Sequence, residues 1–264
     1  MDYALPIGII SADDTGPAIA LRIAAKGQRV AFYATPGAPR PANSARIEIV
    51  STPTDIAYGC DVVIAAIDDT AELHRVLIGT KDRLGIAAEL APGSVIVDLG
   101  ARPPRETLAL LGITGTRAIA IVDAAIIGQL GGDRESALTV LAGGYPDAVD
   151  TAMAALKCLG PVERTGPLGS AHTAAALMGY MEAAHHIARE EAASVGRALG
   201  LGTEALAHVL DRSGVAGTFL QASNILMMAR RTELAGTLAR TNGVAADVID
   251  FTRQKLAAGS NESR

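Results

Sequence analysis

The chain has no tryptophan and two cysteines, and aromatic residues make up 3% of its 264 positions. So few rings point to close helix packing through Ala and Gly rather than to an aromatic ligand box. Cys60 and Cys158 lie far apart and lack metal-ligand spacing. With no secretory leader pattern either, reduced thiols in a cytoplasmic protein are the expectation. Excess positive charge is missing as well. The net charge is −5, and no basic run interleaves with aromatics, which argues against a nucleic-acid partner. A membrane-spanning run is absent too: the longest apolar stretch, near Ala118–Leu130, is broken by Asp123.

What is present is apolar patterning, 49% of residues, enough for a sizeable core and one or two domains. After apolar runs at Ile7–Ile10 and Gln28–Tyr33, strand-like segments follow at Ile47–Val50, Asp61–Ile67, Ser94–Asp98, Ala118–Val122 and Ala137–Ala142. Helical stretches alternate with them, at Ala71–Ile78, Arg83–Leu90, Pro104–Leu111 and Pro146–Leu159. This alternation predicts an α/β fold: a Rossmann-like, doubly wound, parallel sheet with helices on both faces. From Gly166 the strand signals stop. Ser170 to about Leu199 reads as one helix of roughly 45 Å, ended by Gly200 and Gly202. Thr203 then caps a further helix, and at least two more reach Ala258. The expected domains are 1–165, Rossmann-like, and 166–264, all-α. A helix that long leaves a face uncovered by so small a domain, which predicts a homodimer.

The opening segment, IGIISADDTGPAIALRIAAKGQRVAFY from Ile7 to Tyr33, is the first β-α-β unit of a dinucleotide-binding fold with an altered phosphate turn. Such a turn reads G-x-G-x-x-G, giving a tight bend, close approach to a pyrophosphate and helix–strand packing. Here those positions are Ser11, Asp13 and Gly16. Only the packing glycine survives, and the Asp13 carboxylate stands where a helix N-terminus receives phosphate. No carboxylate follows the second strand to hold a ribose, since Ala34 stands there. Arg40 and Arg46 can meet a 2′-phosphate, or can simply be solvated in a Pro-rich loop.

The order of segments resembles the β-hydroxyacid dehydrogenase superfamily, which includes 3-hydroxyisobutyrate dehydrogenase, 6-phosphogluconate dehydrogenase and imine reductases. Ile67-Asp68-Asp69 resembles the family's hydrophobic-Pro-Asp element, and APGSVIVDLGARPP (Ala91–Pro104) its PG-x-x-x-VD-x-ST-x-x-P motif. Pro92, Gly93 and Asp98 match, but the Ser-Thr pair is Gly100-Ala101. DAAIIGQ (Asp123–Gln129) resembles D-A-P-V-S-G-G, with Ile127 for the serine and Gln129 for the second glycine. GPLGSAHTAAALMG (Gly166–Gly179) resembles G-x-x-G-x-G-x-x-x-K-x-x-N-N, with Ala175 for the catalytic lysine and Met178-Gly179 for the asparagines. The family's Lys-Asp pair maps to Arg230-Arg231. A lysine at that place gives a proton or hydrogen bond to the reacting oxygen, and a methyl group does neither. The resemblance therefore argues against ordinary hydroxyacid oxidation here.

Helical spacing places His172, Glu182 and His186 on the stripe that Ala175 shares. Glu182 and His186 form an i,i+4 pair, which is either a general acid/base unit or a polar pair on a solvated face. Glu182 with His185 gives a lone E-x-x-H, so no metal is expected. Arg102, in the loop after Asp98, can clamp a carboxylate or lie in solvent, and Arg230 is a second anion-binding candidate. Ile127, Ala175, Met178 and Gly179 would line an apolar substrate pocket between the domains. The expectation is a redox-neutral cyclase, lyase or isomerase acting on a small, rather apolar molecule without a cofactor. Two alternatives stand beside it. One is an NADP-dependent, imine reductase-like enzyme using Ser11, Asp13, Gly16, Arg40 and Ile67; the other is a non-catalytic ligand-binding protein.

Overall fold

The computed structural model describes residues 5–80, 83–128, 138–202, 204–206, 208 and 222–262. The Thr203 cap and Gln129 lie outside them. The chain divides into two compact units, Met1–Ala174 and Ala175–Arg264.

The first unit is built on an eight-stranded sheet. Its strands are β1 (Ile7–Ser11), β2 (Val30–Ala34), β3 (Ile47–Ile49), β4 (Val62–Ala66), β7 (Val95–Asp98), β8 (Ala120–Ile127), β9 (Thr139–Gly144) and β10 (Val162–Gly166). The order is β10-β9-β8-β7-β4-β1-β2-β3, parallel except where β8 meets β9. β1 and β4 are parallel neighbours, but the order in which the chain lays down strands switches from one side to the other between them, which is where ligands bind in such sheets, beyond the strands' carboxyl ends. Two short strands, β5 (Gly79–Thr80) and β6 (Arg83–Leu84), form a separate antiparallel pair.

Near-continuous apolar strands are what a sheet covered on both faces requires. Alternate residues feed alternate cores. Ile9, Phe32, Ile64, Val97, Val122 and Val140 pack on one face with helices α1 (Thr15–Ala25) and α7 (Pro146–Lys157). Ile10, Val63, Ile96 and Ile121 pack on the other. There they meet α2 (Pro53–Ala57), α3 (Thr70–Ile78), α4 (Ile86–Glu89) and α6 (Leu111–Thr114), the last preceded by the short helix α5 (Pro104–Ala109). Gly27 ends α1 at φ 89°, the left-handed value that glycine tolerates.

The long helix α8 runs from Ser170 to Ala198, 29 residues. In the second unit, α9 (Ala222–Thr241) and α10 (Asp247–Glu262) follow it. Ala176, Leu234, Ala235, Ala239 and Ile249 form one small core there, and Ala183, Met228 and Leu256 another.

The structure departs from the sequence expectations in three places. Arg83–Leu90 is not one helix: a Cβ at Gly85 would lie 2.2 Å from the Leu77 carbonyl oxygen, so the backbone crosses too closely there to wind regularly. β8 continues to Ile127 through the buried Asp123. β10 is an unforeseen strand whose single apolar side chain, Val162, gives no periodic signal. Among the described residues, no helix is long and apolar enough to cross a membrane.

Both cysteines are free. Burial, then the charges of Asp61 and Glu48, push the Cys60 thiol up to about 12. Since the thiolate is the reactive form, Cys60 in the native protein is expected to resist a thiol reagent at pH 8 and to react once denaturant exposes it. Labelling followed by mass spectrometry checks this.

Candidate active site

The turn after β1 is closed by its own side chains. The Ser11 hydroxyl donates to the Asp13 carbonyl at 2.8 Å and accepts from the Asp13 amide at 3.3 Å. The Asp13 carboxylate accepts from the Thr15 amide at 2.9 Å, at the start of α1. A Cβ at Gly16 would come within 2.2 Å of the Ser11 side chain, so glycine there is a packing requirement. Asp14, the N-cap residue, is exposed and makes no side-chain cap bond.

Beyond β7 and β8 lies a buried polar network. Asp98 and Asp123 are opposite one another in the β7–β8 register, and both are fully buried. Burying two carboxylates side by side demands compensation for each. For Asp98 it is Arg102, 1% exposed, whose Nε donates to both carboxylate oxygens at 3.1 and 2.8 Å. The guanidinium also donates to the Thr70 hydroxyl at 2.9 Å and to the Ile67 carbonyl. Thr70 passes its own hydrogen to Glu106 at 2.6 Å. For Asp123 the compensation is the start of α8: its oxygens accept from the amides of Gly169 at 2.7 Å and His172 at 3.0 Å. A carboxylate on those amides also complements the helix dipole.

His172 ties the two together. Its Nε2 lies 3.1 Å from the Asp98 carbonyl oxygen and its Nδ1 lies 3.1 Å from the Thr107 hydroxyl. A carbonyl only accepts, so Nε2 carries hydrogen, and in the neutral ring Nδ1 accepts from Thr107. The loop between is pinned as well, with the Gly100 amide on Asp98 and the Ala101 amide on Asp68. Thr70, Glu106 and Thr107 were not singled out from the sequence. The available signal was Arg102 four residues after Asp98, with the Thr107 hydroxyl on the next helix.

The expected site residues thus separate. His172 and Arg102 come together, but in a closed network: His172 is 3% exposed with both ring nitrogens engaged, and the Arg102 guanidinium is spent on Asp98, Thr70 and the Ile67 carbonyl. Glu182 is exposed and His186 half-buried farther along α8. The charge of Glu182 bears on Arg231, whose guanidinium burial pulls below its usual range while Glu182 opposes that pull. A Cβ at Gly179 would meet the Arg231 stem at 2.4 Å, so Arg231 packs on α8 while Arg230 is exposed. Ala175 is buried and Met178 partly exposed. Ile127 closes β8 half-buried. Ile67 is buried, its carbonyl taken by Arg102. Arg40 is exposed, whereas Arg46 donates to the Gly27 carbonyl at 2.7 Å.

Gly100 is the geometric partner of Arg102, since a Cβ at 100 would lie 2.0 Å from the guanidinium. Gly100→Ser is therefore expected to destabilise the fold by about 1–3 kcal/mol through overpacking. Combining it with Arg102→Ala should not restore stability, because Asp98 is then left buried and unpaired, at a cost of about 3–5 kcal/mol. Asp123→Asn removes one of two acceptors at the head of α8 and should cost about 1–3 kcal/mol. Denaturant unfolding of the three variants checks these outcomes, and amide exchange at Gly169 and His172 localises the third.

With this geometry in hand, comparison with known proteins is informative. Residues 6–169, more than half the chain, match the family model for the NAD binding domain of 6-phosphogluconate dehydrogenase. The mitochondrial 3-hydroxyisobutyrate dehydrogenase of Homo sapiens is 26% identical over 210 residues, 79% of this chain and 62% of the relative. The NAD-dependent L-serine dehydrogenase of Pseudomonas aeruginosa is 26% identical over 171 residues, 64% of this chain and 56% of the relative. The matches thus span less than two thirds of these relatives. Among solved structures, Mycobacterium tuberculosis 3-hydroxyisobutyrate dehydrogenase with L-serine superposes with a TM-score of 0.79 at 18% identity, covering 98% of this chain and 94% of that one. An imine reductase from Myxococcus stipitatus in complex with NADP+ gives 0.65 at 13%, covering 97% and 94%. The domain match corrects the expectation that the chain takes no cofactor. It points to a nicotinamide dinucleotide at the β1–β4 switch point, and the strand order, the tight β1–α1 turn and Gly16 packed on Ser11 fit that group. By this match the chain belongs to the 6-phosphogluconate dehydrogenase NAD-binding-domain family.

Proposed function

We propose that this chain is an NAD(P)-dependent oxidoreductase of small molecules whose substrate arrives already protonated, a C=N cation being the simplest case. The observation that carries the reading is an NAD-binding domain over residues 6–169 in a chain with Ala175 where the family's lysine maps. When bound, the dinucleotide supplies or accepts hydride. Reducing a carbonyl leaves an alkoxide that needs an acid, and the buried methyl of Ala175 gives none. His172 does not fill the gap, because its Nε2 hydrogen is committed to the Asp98 carbonyl. A cationic C=N bond becomes a neutral amine without any proton at that step, so the missing lysine costs it nothing. Ser11 and Gly16 shape the phosphate turn, and Arg40, exposed beyond β2, is the group free to meet a 2′-phosphate.

A redox-neutral reaction is the second reading, favoured by the same Ala175. Exposed Leu177, Met178 and Met181 on α8 support pairing of two copies along that helix, which light scattering would report as twice 27.0 kDa.

With NADPH and a panel of cyclic imines, ketones and 3-hydroxy acids, loss of the reduced-nicotinamide absorbance is expected with the imines alone. Oxidation of a hydroxy acid at a comparable rate would overturn the substrate class. An imine or other substrate consumed with no change in that absorbance would favour the redox-neutral reading. Arg40→Ala is expected to weaken NADPH about tenfold, equivalent to about 1.4 kcal/mol, while leaving NADH unchanged, as read by calorimetric titration.

A further inference from the structure

We infer that Asp13 is an internal competitor of the cofactor's pyrophosphate: its carboxylate occupies the helix amide that the phosphate would use, and dinucleotide binding requires it to swing out. The inference rests on the reading that a nicotinamide dinucleotide binds this domain. The family match and the contacts of the turn support it independently.

Several amides around the head of α1 are already committed. That of Asp13 goes to the Ser11 hydroxyl, and that of Thr15 goes to the Asp13 carboxylate. Pro17, in the first turn of α1, has no amide hydrogen at all. From 13 to 17, at most the amides of Asp14 and Gly16 are left for an incoming anion. A pyrophosphate normally draws on several such donors together with the helix dipole. Here a negative charge built into the chain already collects part of that stabilisation.

The turn is held so that the Asp13 carboxylate caps the Thr15 amide. Both Ser11 hydrogen bonds fix the backbone at Asp13, and Gly16 packs directly on the Ser11 side chain. Ser11 is buried and Asp13 half-buried, whereas Asp14 beside it is exposed. A single side-chain rotation at Asp13 frees the Thr15 amide without moving the strand or the helix. Two costs then oppose cofactor binding: the lost Asp13–Thr15 bond and repulsion between the carboxylate and the phosphates. Asp14 shares the second cost weakly and the first not at all, so it serves as the internal control.

The test is calorimetric titration of the full chain with NADPH and with NADH, for wild type, Asp13→Gly, Asp13→Asn and Asp14→Asn. Melting temperature is recorded without cofactor and at saturation. Asparagine keeps an acceptor for Thr15 and removes the charge; glycine removes both. The expected order of affinity is Asp13→Gly above Asp13→Asn above wild type, with at least tenfold between the first and last, and Asp14→Asn within twofold of wild type. Without cofactor, Asp13→Gly should melt below wild type, since it loses the bond that closes the turn. Cofactor should then raise its melting temperature more than it raises that of wild type. Micromolar binding by wild type that Asp13→Gly leaves unchanged would overturn the competitor role while the cofactor reading stands. Equal gains from Asp13→Asn and Asp14→Asn would reduce the effect to net charge and also overturn it. No binding by any of the four proteins would overturn both.

Discussion

The structure of the first unit turns on a pair of carboxylates that the sheet register forces into adjacency. Asp98 and Asp123 sit across from each other on β7 and β8, both without solvent. Charges of one sign so close in a low-dielectric interior are tolerable only if each is neutralised separately. The solutions differ in kind. Arg102 brings a full positive charge to Asp98, and the head of α8 brings two backbone amides and a dipole to Asp123. The consequences spread outward from there. Where α8 begins, how loop 98–102 is bent, and why residue 100 has no side chain all follow from keeping those two groups satisfied. His172 belongs to this arrangement as a brace, its amide on one aspartate and its ring on the other's backbone.

That arrangement also depends on small residues beside the arginines. A Cβ at Gly100 would lie 2.0 Å from the Arg102 guanidinium, so the glycine leaves the space that the ion pair with Asp98 fills. In the second unit Gly179 likewise admits the stem of Arg231 against α8.

The fold was largely legible in the sequence because its signals are local. Apolar runs mark β1, β2, β4 and β7, Gly27 marks the end of α1, and the span of α8 follows from unbroken helical spacing. β10 was illegible for the opposite reason: Val-Glu-Arg-Thr-Gly joins the sheet through its backbone ladder with β9, which side-chain periodicity does not encode. The site was legible only in part. The altered turn at Ser11, Asp13 and Gly16 could be read directly, but the absence of a cofactor did not follow from it, since fold and phosphate chemistry are separable. Arg102 and His172 read as candidate reactive groups because sequence shows what a side chain can do. Their partners are long-range, His172 reaching Thr107 and Asp98 across 65 and 74 residues. Arg231 packs on α8 while Arg230 is exposed, a difference that sequence does not show because helix rotation is fixed by packing.

The two ends of the sheet bear on a different matter, the behaviour of this protein while it folds. A terminal strand is a template on which another chain can add itself. β3 is only three residues long and carries an exposed Glu48 at its centre, and β10 exposes Glu163 and Arg164 in succession. Any second molecule laying a strand along either margin would have to bring its own side chains against those charges. The hydrophobic strands lie in the interior of the sheet, between the two margins. A largely parallel sheet forms slowly, because its neighbours in space are distant in the chain. Its exposure to self-association during that interval is governed by the two strands that contribute least to its core.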